Sequence, residues 1–269
     1  MDALVKDTFK EYRPTNWLPN GHLQTIYSTI LDTSNIDRVD YRRHTLSLKD
    51  AGSISLDFNN PGKSKVLVIC HGLTGGSHES YVRTVISQVA DDTTSVVVNF
   101  RGCANTTVTS PLLYSGGQTN DLRSALLYIK NCYPDAELIG MGFSLGANVL
   151  TKYIGEEGDR CPFKAAISLA NPWNLLKGSE QLESSYMGHY LYNRAMGKSL
   201  KKLMNAHEHA VKDVYADDLA RLASFKWPTI RDFDNTITRK LGGHPPHFPF
   251  PSAEAYYAWY VYVFYFTLQ

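Results

Sequence analysis

The sequence predicts an α/β fold whose sheet is doubly wound and mostly parallel. Short runs rich in β-branched apolar residues recur along the chain, and segments of helical length separate them. Such runs are typical of strands buried on both faces, and their alternation with helices indicates βαβ units. The predicted strands are residues 65–70, 95–100, 137–141 and 163–169, and the predicted helices are residues 79–89, 118–132 and 145–154.

A hairpin is predicted ahead of this series. Residues 39–48 and 53–58 alternate apolar and polar side chains on either side of a turn at residues 49–52. An alternation of period two is typical of strands with one buried face. We therefore expect two antiparallel strands at the edge of the sheet.

The pattern changes after Asn171, where the chain becomes polar and helix-prone. Helical spacing without a strand-like run continues to about Arg239. We interpret residues 172–240 as a helical cap inserted into a single domain that takes in residues 1–269. A chain of 269 residues is within the usual size of one large α/β domain.

The charge balance argues against a nucleic-acid partner. The chain carries 27 basic and 26 acidic residues, a formal net charge of +1, so no global field attracts a phosphate backbone. Its four cysteines show no CxxC spacing, and we expect free thiols and a cytoplasmic location. His207 and His209 have no third ligand at metal-site spacing, so we interpret them as solvated helix residues. No metal and no other cofactor is predicted.

Neither end of the chain predicts a membrane span. The N-terminal residues lack the apolar core of a secretory signal. The most apolar stretch, residues 258–266, is well short of the roughly 20 residues that a membrane span needs.

The most informative motif is GFSLG at residues 142–146, a GxSxG pattern between a predicted strand and a predicted helix. In this setting the serine occupies a sharp turn that presents its hydroxyl above the sheet, and the glycines permit close backbone approach. We predict that Ser144 is a catalytic nucleophile. The alternative is a serine with only a structural role in the turn.

Two backbone N–H groups are candidates for stabilising an oxyanion formed at Ser144. Leu145 follows the serine directly, and Leu73 lies in HGLTGG (residues 71–76), just after a predicted strand. A glycine-rich loop in this position can point its N–H groups inward. The alternative is an ordinary glycine-rich turn. His71 is expected to fix this loop rather than to act as a base.

Two further features are expected to have structural roles. Asp121 stands at the start of a predicted helix, where an aspartate commonly caps the backbone. Arg101 and Asn105 lie in the RGCANT segment. We expect them either to brace the rim of the site or to contact the substrate.

Several motifs together resemble one branch of a known superfamily. They are NGHLQT (20–25), HGLTGGSHESYVR (71–83), NFRGCANT (99–106), YSGGQTNDLR (114–123) and GFSLGANVLTKYIGEEG (142–158). The chain resembles, over about residues 12–257, the YheT-like branch of the α/β-hydrolases, which includes medium-chain fatty acid ethyl ester synthases/esterases and related lipid hydrolases.

This resemblance implies an α/β-hydrolase fold and a reaction through an acyl-Ser144 intermediate. The implied reaction is hydrolysis of short- to medium-chain acyl esters or monoacylglycerols, or acyl transfer to a small alcohol. The implied partners are a small acyl ester or lipid and a water or alcohol acceptor, with at most peripheral contact with a membrane.

The resemblance also implies a catalytic acid in an Asn-Ala-x-Asp-Asp-Pro-like segment and a base in a Gly-Gly-His-like segment, both beyond the cap. No Asp and no His follows His247 in this chain. We therefore expect a C-terminally truncated or altered relative that lacks the last strands, the acid and the base. A substitute pair would have to combine His244 or His247 with Asp232 or Asp234. The alternatives are an active serine esterase and a catalytically incomplete family member.

Overall fold

The computed structural model describes residues 12–31 and 33–259. Its contacts divide the chain into two units, Met1–Arg38 and Val39–Gln269. Within the described residues no helix combines the length and the apolar character that crossing a membrane requires.

In the first unit, helix α1 spans Gly21–Ile30. The side-chain oxygen of Asn20 accepts a hydrogen bond of 3.0 Å from the backbone N–H of Leu23 and caps the helix. The rings of Trp17 and Tyr27 pack edge to face, with centroids 4.8 Å apart. The NGHLQT motif therefore forms the cap and the first turn of a short helix.

The second unit contains a sheet of six strands among the described residues. They are β1 (Arg42–Ser47), β2 (Ser53–Asn59), β3 (Lys65–Cys70), β4 (Thr93–Asn99), β5 (Glu137–Phe143) and β6 (Phe163–Leu169). Their order across the sheet is β1-β2-β4-β3-β5-β6. Strands β3 to β6 run parallel, whereas β2 is antiparallel to both β1 and β4. The predicted fold class, a mostly parallel sheet with an N-terminal antiparallel hairpin, is confirmed.

The hairpin differs from the prediction in one respect. Of the two hairpin strands only β1 lies at an edge of the described sheet, because β2 pairs on its other side with β4. The side chains of Ile54, Leu56 and Phe58 on β2 are consequently buried in the largest core cluster. The alternating pattern indicated one buried face, whereas residues 53–58 of β2 are all buried, and it carried no information about which neighbour pairs with the second edge.

Helices cover both faces of the central strands. They are α2 (Ser80–Ser87), α3 (Asn120–Cys132) and α4 (Leu145–Glu157). On one face Val66 and Val68 of β3 pack in a cluster with Ile129 of α3. On the other face Ile69 packs with Val82 of α2. Burial on both faces explains why β3 is a continuous apolar run, and it makes the sheet doubly wound.

Strand β6 departs from the expected burial. Its apolar run predicted a strand buried on both faces, yet six of its seven residues are exposed. Ile167 and Leu169 keep 47% and 39% of their accessible surface. The physical reason is that β6 pairs only with β5, and no other described strand lies beyond it.

After the sheet the described regular elements are all helical. The elements are α5 (Leu175–Ser184), a π-helical segment Gly188–Asn193, α6 (Arg194–Ala206), α7 (Lys212–Ser224), α8 (Ile230–Phe233), a π-helical segment Asp234–Thr238, α9 (Arg239–Leu241) and a helical stretch at residues 253–259. Residues 172–240, all of them described, contain no strand, as the sequence pattern indicated. That this segment is an inserted cap stays a prediction.

These helices have an apolar core of their own. Met204, Phe233 and Ile237 are fully or almost fully buried in a second cluster. The same cluster includes Leu113, from the loop between β4 and α3, whose backbone N–H donates to the carbonyl oxygen of Leu241 over 2.8 Å. The helical segment is therefore attached to the loops that follow the sheet strands.

Candidate active site

Ser144 lies in the turn between β5 and α4. Its backbone has φ 51° and ψ −119°, a left-handed conformation that costs a non-glycine residue about 1–3 kcal/mol. A strained serine between a strand and a helix is typical of a nucleophile elbow. The side chain of Ser144 is exposed, and its hydroxyl has no hydrogen-bond partner among the described residues.

The two glycines of the motif allow this turn to form. A Cβ atom on Gly142 would overlap the backbone of Ala147 one turn into α4. A Cβ atom on Gly146 would overlap the carbonyl oxygens of Cys70 and His71 at the end of β3. Only glycine permits this approach of helix and strand backbones, so GxSxG is required here by packing.

Two backbone hydrogen bonds fix the position of the turn. The N–H of Ser144 donates to the carbonyl oxygen of Leu169 over 2.9 Å. The N–H of Asn148 donates to the carbonyl oxygen of Ser144 over 3.1 Å and begins α4. The serine is thereby held between β6 and the first turn of the helix.

His71 is buried beneath the neighbouring glycine-rich loop. Its Nδ1–H donates to the carbonyl oxygen of Gly72 over 2.7 Å, and its Nε2 accepts from the backbone N–H of Phe100 over 3.2 Å. Burial lowers the pKa of His71 to about 4, so the ring is neutral at pH 7. Since both ring nitrogens are occupied, His71 fixes the loop and cannot take a proton from Ser144 in this arrangement.

The backbone N–H of Leu73 lies between two N–H groups of the loop that have acceptors. The N–H of Gly72 donates to the Tyr81 hydroxyl, and that of Thr74 to the Tyr114 hydroxyl, both over 2.9 Å. The N–H of Leu73 between them has no acceptor in the described part of the chain. Leu73 and Leu145 both line the cavity that contains Ser144. The structure thus brings together all three residues that the sequence singled out.

The cavity beside Ser144 has a volume of about 370 Å³, within the roughly 300–1,000 Å³ usual for small-molecule sites. Its wall is mainly apolar, and most of it comes from the helical segment. The apolar residues from the helices are Leu175, Leu182, Met196, Leu200, Leu203, Ile230 and Phe233. Such a wall suits an alkyl chain.

Asn148 and Asp234 are among the polar side chains in this wall. Asn148 is almost fully buried and its Oδ1 has no hydrogen-bond partner in the described structure. Asp234 is also buried, and its Oδ2 accepts a hydrogen bond of 2.5 Å from the hydroxyl of Tyr257. Burial raises the pKa of Asp234 to about 6, although hydrogen bonds from Thr238 and Tyr257 oppose the rise.

Sequence reasoning did not identify these two residues as parts of the cavity. Asn148 is four residues after Ser144 on one helix, a spacing that places the two on the same face. That spacing was the available signal for Asn148. Asp234 was considered only as the partner of a histidine. Nothing in the local sequence pattern indicates that it lines the cavity beside Ser144.

No described histidine reaches this cavity from the second unit. Its eight histidines are His44, His71, His78, His189, His207, His209, His244 and His247, and none of them lines the cavity. His244 Nε2 lies 3.9 Å from a carboxylate oxygen of Asp50. His247 packs on the ring of Trp259, with centroids 5.0 Å apart. Asp232 is engaged in a capping box with Thr229. Among the candidate substitutes only Asp234 lines the cavity.

Two expectations about polar residues near the loops need correction. Asp121 does not cap its helix, since Thr119 is the N-cap residue, and it instead accepts two hydrogen bonds from the guanidinium of buried Arg101. Arg101 also pairs with Asp50, so it braces the loops rather than contacting the cavity. His207 is not a fully solvated residue, because its Nε2 lies 3.0 Å from the carbonyl oxygen of Gly102.

A family model described as "alpha/beta hydrolase fold" matches residues 65–262. The chain belongs to the α/β-hydrolase family. This confirms the superfamily that the motifs suggested. The chain is 32% identical to a monoacylglycerol lipase of Saccharomyces cerevisiae, over 89% of this chain and 62% of that protein.

Two further relatives are similar to this chain. The medium-chain fatty acid ethyl ester synthase/esterase 2 of Saccharomyces cerevisiae is 32% identical, over 71% of this chain and 46% of that protein. The phospholipase ABHD3 of Homo sapiens is 30% identical, over 87% of this chain and 58% of that protein. The chain therefore spans less than two thirds of the length of each of these three relatives.

Proposed function

We propose that this site performs serine-dependent carboxylic-ester chemistry, in which Ser144 attacks the acyl carbonyl of a short- to medium-chain ester or a monoacylglycerol. The observation that carries the proposal is the strained elbow at Ser144, open to an apolar cavity. A turn that serves only as a connection has no reason to hold a serine at φ 51° with its hydroxyl exposed.

The oxyanion that forms during the attack needs hydrogen-bond donors placed in advance. The N–H groups of Leu73 and Leu145 fit this role, because both residues line the cavity and Leu145 is the first residue of α4. The positive end of the helix dipole adds to the stabilisation of negative charge at this point. Water or a small alcohol would then release the acyl group from Ser144.

The cavity wall supports an acyl substrate of modest length. Burial of each methylene group contributes about 0.8 kcal/mol, so an alkyl chain binds through many small contributions. The names of the yeast relatives, a monoacylglycerol lipase and a medium-chain fatty acid ethyl ester synthase/esterase, agree with this class of substrate. The cytoplasmic location and the peripheral contact with lipid surfaces expected from the sequence are part of the same proposal.

A second candidate, a catalytically incomplete family member, is favoured by one specific observation. None of the eight histidines of the second unit lines the Ser144 cavity. A serine hydroxyl is a weak nucleophile near neutral pH unless an adjacent base removes its proton. We propose that the 269-residue chain positions the nucleophile and the acyl group but turns over slowly.

The proposal is tested by covalent labelling of the full chain with p-nitrophenyl octylphosphonate, with imidazole added to supply a base. The serine oxygen forms a bond to phosphorus, p-nitrophenolate leaves, and imidazole takes the serine proton. Mass spectrometry should locate one octylphosphonyl group on Ser144. Ser144→Ala should not be labelled, whereas Ser179→Ala, which removes another serine of the cavity wall, should be labelled like the wild type. Labelling that persists in Ser144→Ala would overturn the proposal.

A further inference from the structure

The outer surface of the helical segment exposes several aromatic side chains. Tyr186 and Tyr190 keep 78% and 53% of their accessible surface, and their ring centroids lie 4.9 Å apart. Trp227, in the loop between α7 and α8, keeps 52% of its surface. A group of large exposed side chains with apolar rings is typical of a surface that contacts another protein or a membrane. These rings therefore indicate an interaction surface.

Basic side chains of α6 lie over two of these rings. The guanidinium carbon of Arg194 is 4.7 Å from the centroid of the Tyr190 ring, and Nζ of Lys198 is 5.9 Å from that of Trp227. Lys202 follows Lys198 by one helical turn and is exposed as well. We call this surface the aromatic–basic face, and its residues are Tyr186, Tyr190, Arg194, Lys198, Lys202 and Trp227.

The charges on this face have one sign. Residues 184–207 contain four basic residues and no acidic residue, whereas the whole chain is nearly balanced, with 27 basic and 26 acidic residues. The acidic side chain just before this stretch, Glu183, is ion-paired with Arg231 at 2.7 Å. The aromatic–basic face is therefore complementary to a negatively charged surface.

The two parts of the face are held together by Lys201. Its Nζ donates to the carbonyl oxygens of Ala223 and Phe225 over 2.9 and 2.7 Å. These carbonyl groups are at the end of α7, just before the loop that carries Trp227. The basic stripe of α6 and the Trp227 ring thus form one continuous surface with a fixed geometry.

The opposite side of α6 lines the cavity beside Ser144. Leu200 and Leu203 belong to the cavity wall, whereas Lys198 and Lys202 are exposed. A helix with its side chains is about 10 Å across. A surface that contacts the aromatic–basic face therefore lies about one helix diameter from the cavity in which we propose that an acyl chain binds.

We propose that the aromatic–basic face binds the surface of a lipid bilayer that contains anionic lipids. The inference rests on the lipid contact included in the proposed function, and it adds the face of the protein and the charge of the lipid. Tyr and Trp rings are favoured at the boundary between headgroups and acyl chains, because each has an apolar body and a polar group that stays hydrated. Lys and Arg side chains place their charges at the headgroups while their methylene groups cover apolar surface.

A bilayer fits this face better than an acidic protein segment does. An acidic segment would satisfy the basic side chains, but it has no relation to an apolar cavity on the other side of the same helix. A bilayer satisfies the charges, accepts the exposed rings and supplies alkyl chains beside the cavity. Each basic residue close to an anionic bilayer raises the affinity about fivefold, and salt screens this contribution.

The test measures cosedimentation of the full chain with vesicles at low salt. One set consists of phosphatidylcholine, and in the other every third lipid is phosphatidylserine. The wild type should bind the anionic vesicles at least about tenfold more tightly, and high salt should remove most of this preference. The double variant Lys198→Glu, Lys202→Glu should lose the preference and keep its affinity for phosphatidylcholine. The double variant Tyr186→Ser, Tyr190→Ser should weaken binding to both sets by about threefold or more.

The matched control is the double variant Arg42→Glu, Lys49→Glu, which changes the net charge equally at exposed positions of the β1–β2 hairpin. It should bind both sets of vesicles like the wild type. Labelling of Ser144 by the soluble phosphonate should be the same in all these variants, because none of the substituted residues lines the cavity. Equal labelling also shows that the variants are folded.

The possible outcomes separate the two proposals. Equal binding of both sets by the wild type, a preference that persists in Lys198→Glu, Lys202→Glu, or an equal loss in the hairpin control would overturn the inference and leave the proposed function standing. A wild type that binds neither set would also overturn it and would leave an acidic protein segment as the partner of this face. Vesicle binding as expected without any labelling of Ser144 would overturn the proposed function alone.

Discussion

The backbone N–H of Ser144 donates a hydrogen bond of 2.9 Å to the carbonyl oxygen of Leu169, the last residue of β6. The turn that carries Ser144 is thereby coupled to the outermost described strand of the parallel side of the sheet. Strand β6 pairs on one side with β5 and is otherwise exposed. The geometry of the site thus depends on a strand whose outer edge pairs with no described strand.

This edge predicts self-association of the chain. Unpaired strand edges with exposed apolar residues are templates for pairing with other chains. Ile167 on β6 keeps 47% of its surface exposed, so Ile167→Lys places a charge on this strand. Analytical ultracentrifugation should detect less oligomer in this variant, and its free energy of unfolding should change by no more than about 0.5 kcal/mol. Ile69→Lys on the fully buried strand β3 should instead prevent folding. Equal effects of the two substitutions would contradict the exposure of β6.

Close backbone packing predicts that Gly146 cannot be replaced. A methyl group at Gly146 would overlap the carbonyl oxygens of Cys70 and His71, so Gly146→Ala should move α4 away from β3 and abolish labelling of Ser144. The matched control is Gly178→Ala in α5, where nothing lies within 4 Å of the added Cβ. That change should stabilise the chain by about 0.5–1 kcal/mol, because alanine is the better helix former. Urea unfolding measures the stability of the two variants, and phosphonate labelling measures the reactivity of Ser144 in each. A labelled Gly146→Ala protein would contradict the elbow geometry.

The raised pKa of Asp234 predicts a defined pH dependence of stability. Burial raises its pKa from 3.8 to about 6 in the folded state, so the folded chain binds the proton more tightly than the unfolded chain. The contribution of Asp234 to stability therefore decreases as the pH rises from about 4 to about 6 and stays low above this window. The loss of folding free energy across this pH window is at most about 3 kcal/mol.

Asp234→Asn should consequently be more stable than the wild type at pH 7.5 and similar to it at pH 4. Urea unfolding at the two pH values measures the difference. Asp135→Asn, the same chemical change at an exposed position, should alter stability by less than about 0.5 kcal/mol. Identical pH profiles for Asp234→Asn and the wild type would show that the Asp234 carboxylate is not buried.

The helical wall predicts control of acyl length by α6. Met196 lines the cavity, and Met196→Trp should fill part of its volume of about 370 Å³. Phosphonate labelling with butyl, hexyl, octyl and decyl chains should then show an optimum shifted to shorter chains. Ser199→Trp places the same ring on the exposed side of α6 and should leave the profile unchanged. An unaltered profile in Met196→Trp would exclude this wall from acyl binding.

The sequence predicted the parts of the fold that depend on local pattern. The bounds of β3 and β6 match the apolar runs at residues 65–70 and 163–169, because strands with continuous apolar residues end where polar residues begin. The burial of β6 was wrong, since burial depends on which neighbours pair with a strand. No pattern within residues 163–169 contains that information.

For the candidate site too, the sequence predicted the residues that belong to local motifs and missed those placed by tertiary contacts. Ser144, Leu73 and Leu145 follow from motifs whose chemistry is local, and the structure brings all three to one cavity. The role of Asp121 was missed because its partner, Arg101, is 20 residues away along the chain. Asp234 was missed as a wall residue for the same physical reason: tertiary contacts, rather than local sequence, place it in the wall of the cavity.

The central proposal is that Ser144 is an acyl nucleophile without a histidine base among the described residues of the second unit. Its most direct test is the rate of p-nitrophenyl octanoate hydrolysis by the wild type and by Ser144→Ala, each with and without added imidazole. Oxyanion donors and binding alone can leave about 10³-fold catalysis over water, so a low rate is expected without imidazole. Imidazole should raise the rate of the wild type well above that of Ser144→Ala, which reports the reaction of imidazole itself. A fast wild-type rate without imidazole that is lost in Ser144→Ala would show that a base exists within these 269 residues. Equal rates for the two proteins with imidazole would show that Ser144 is not the nucleophile.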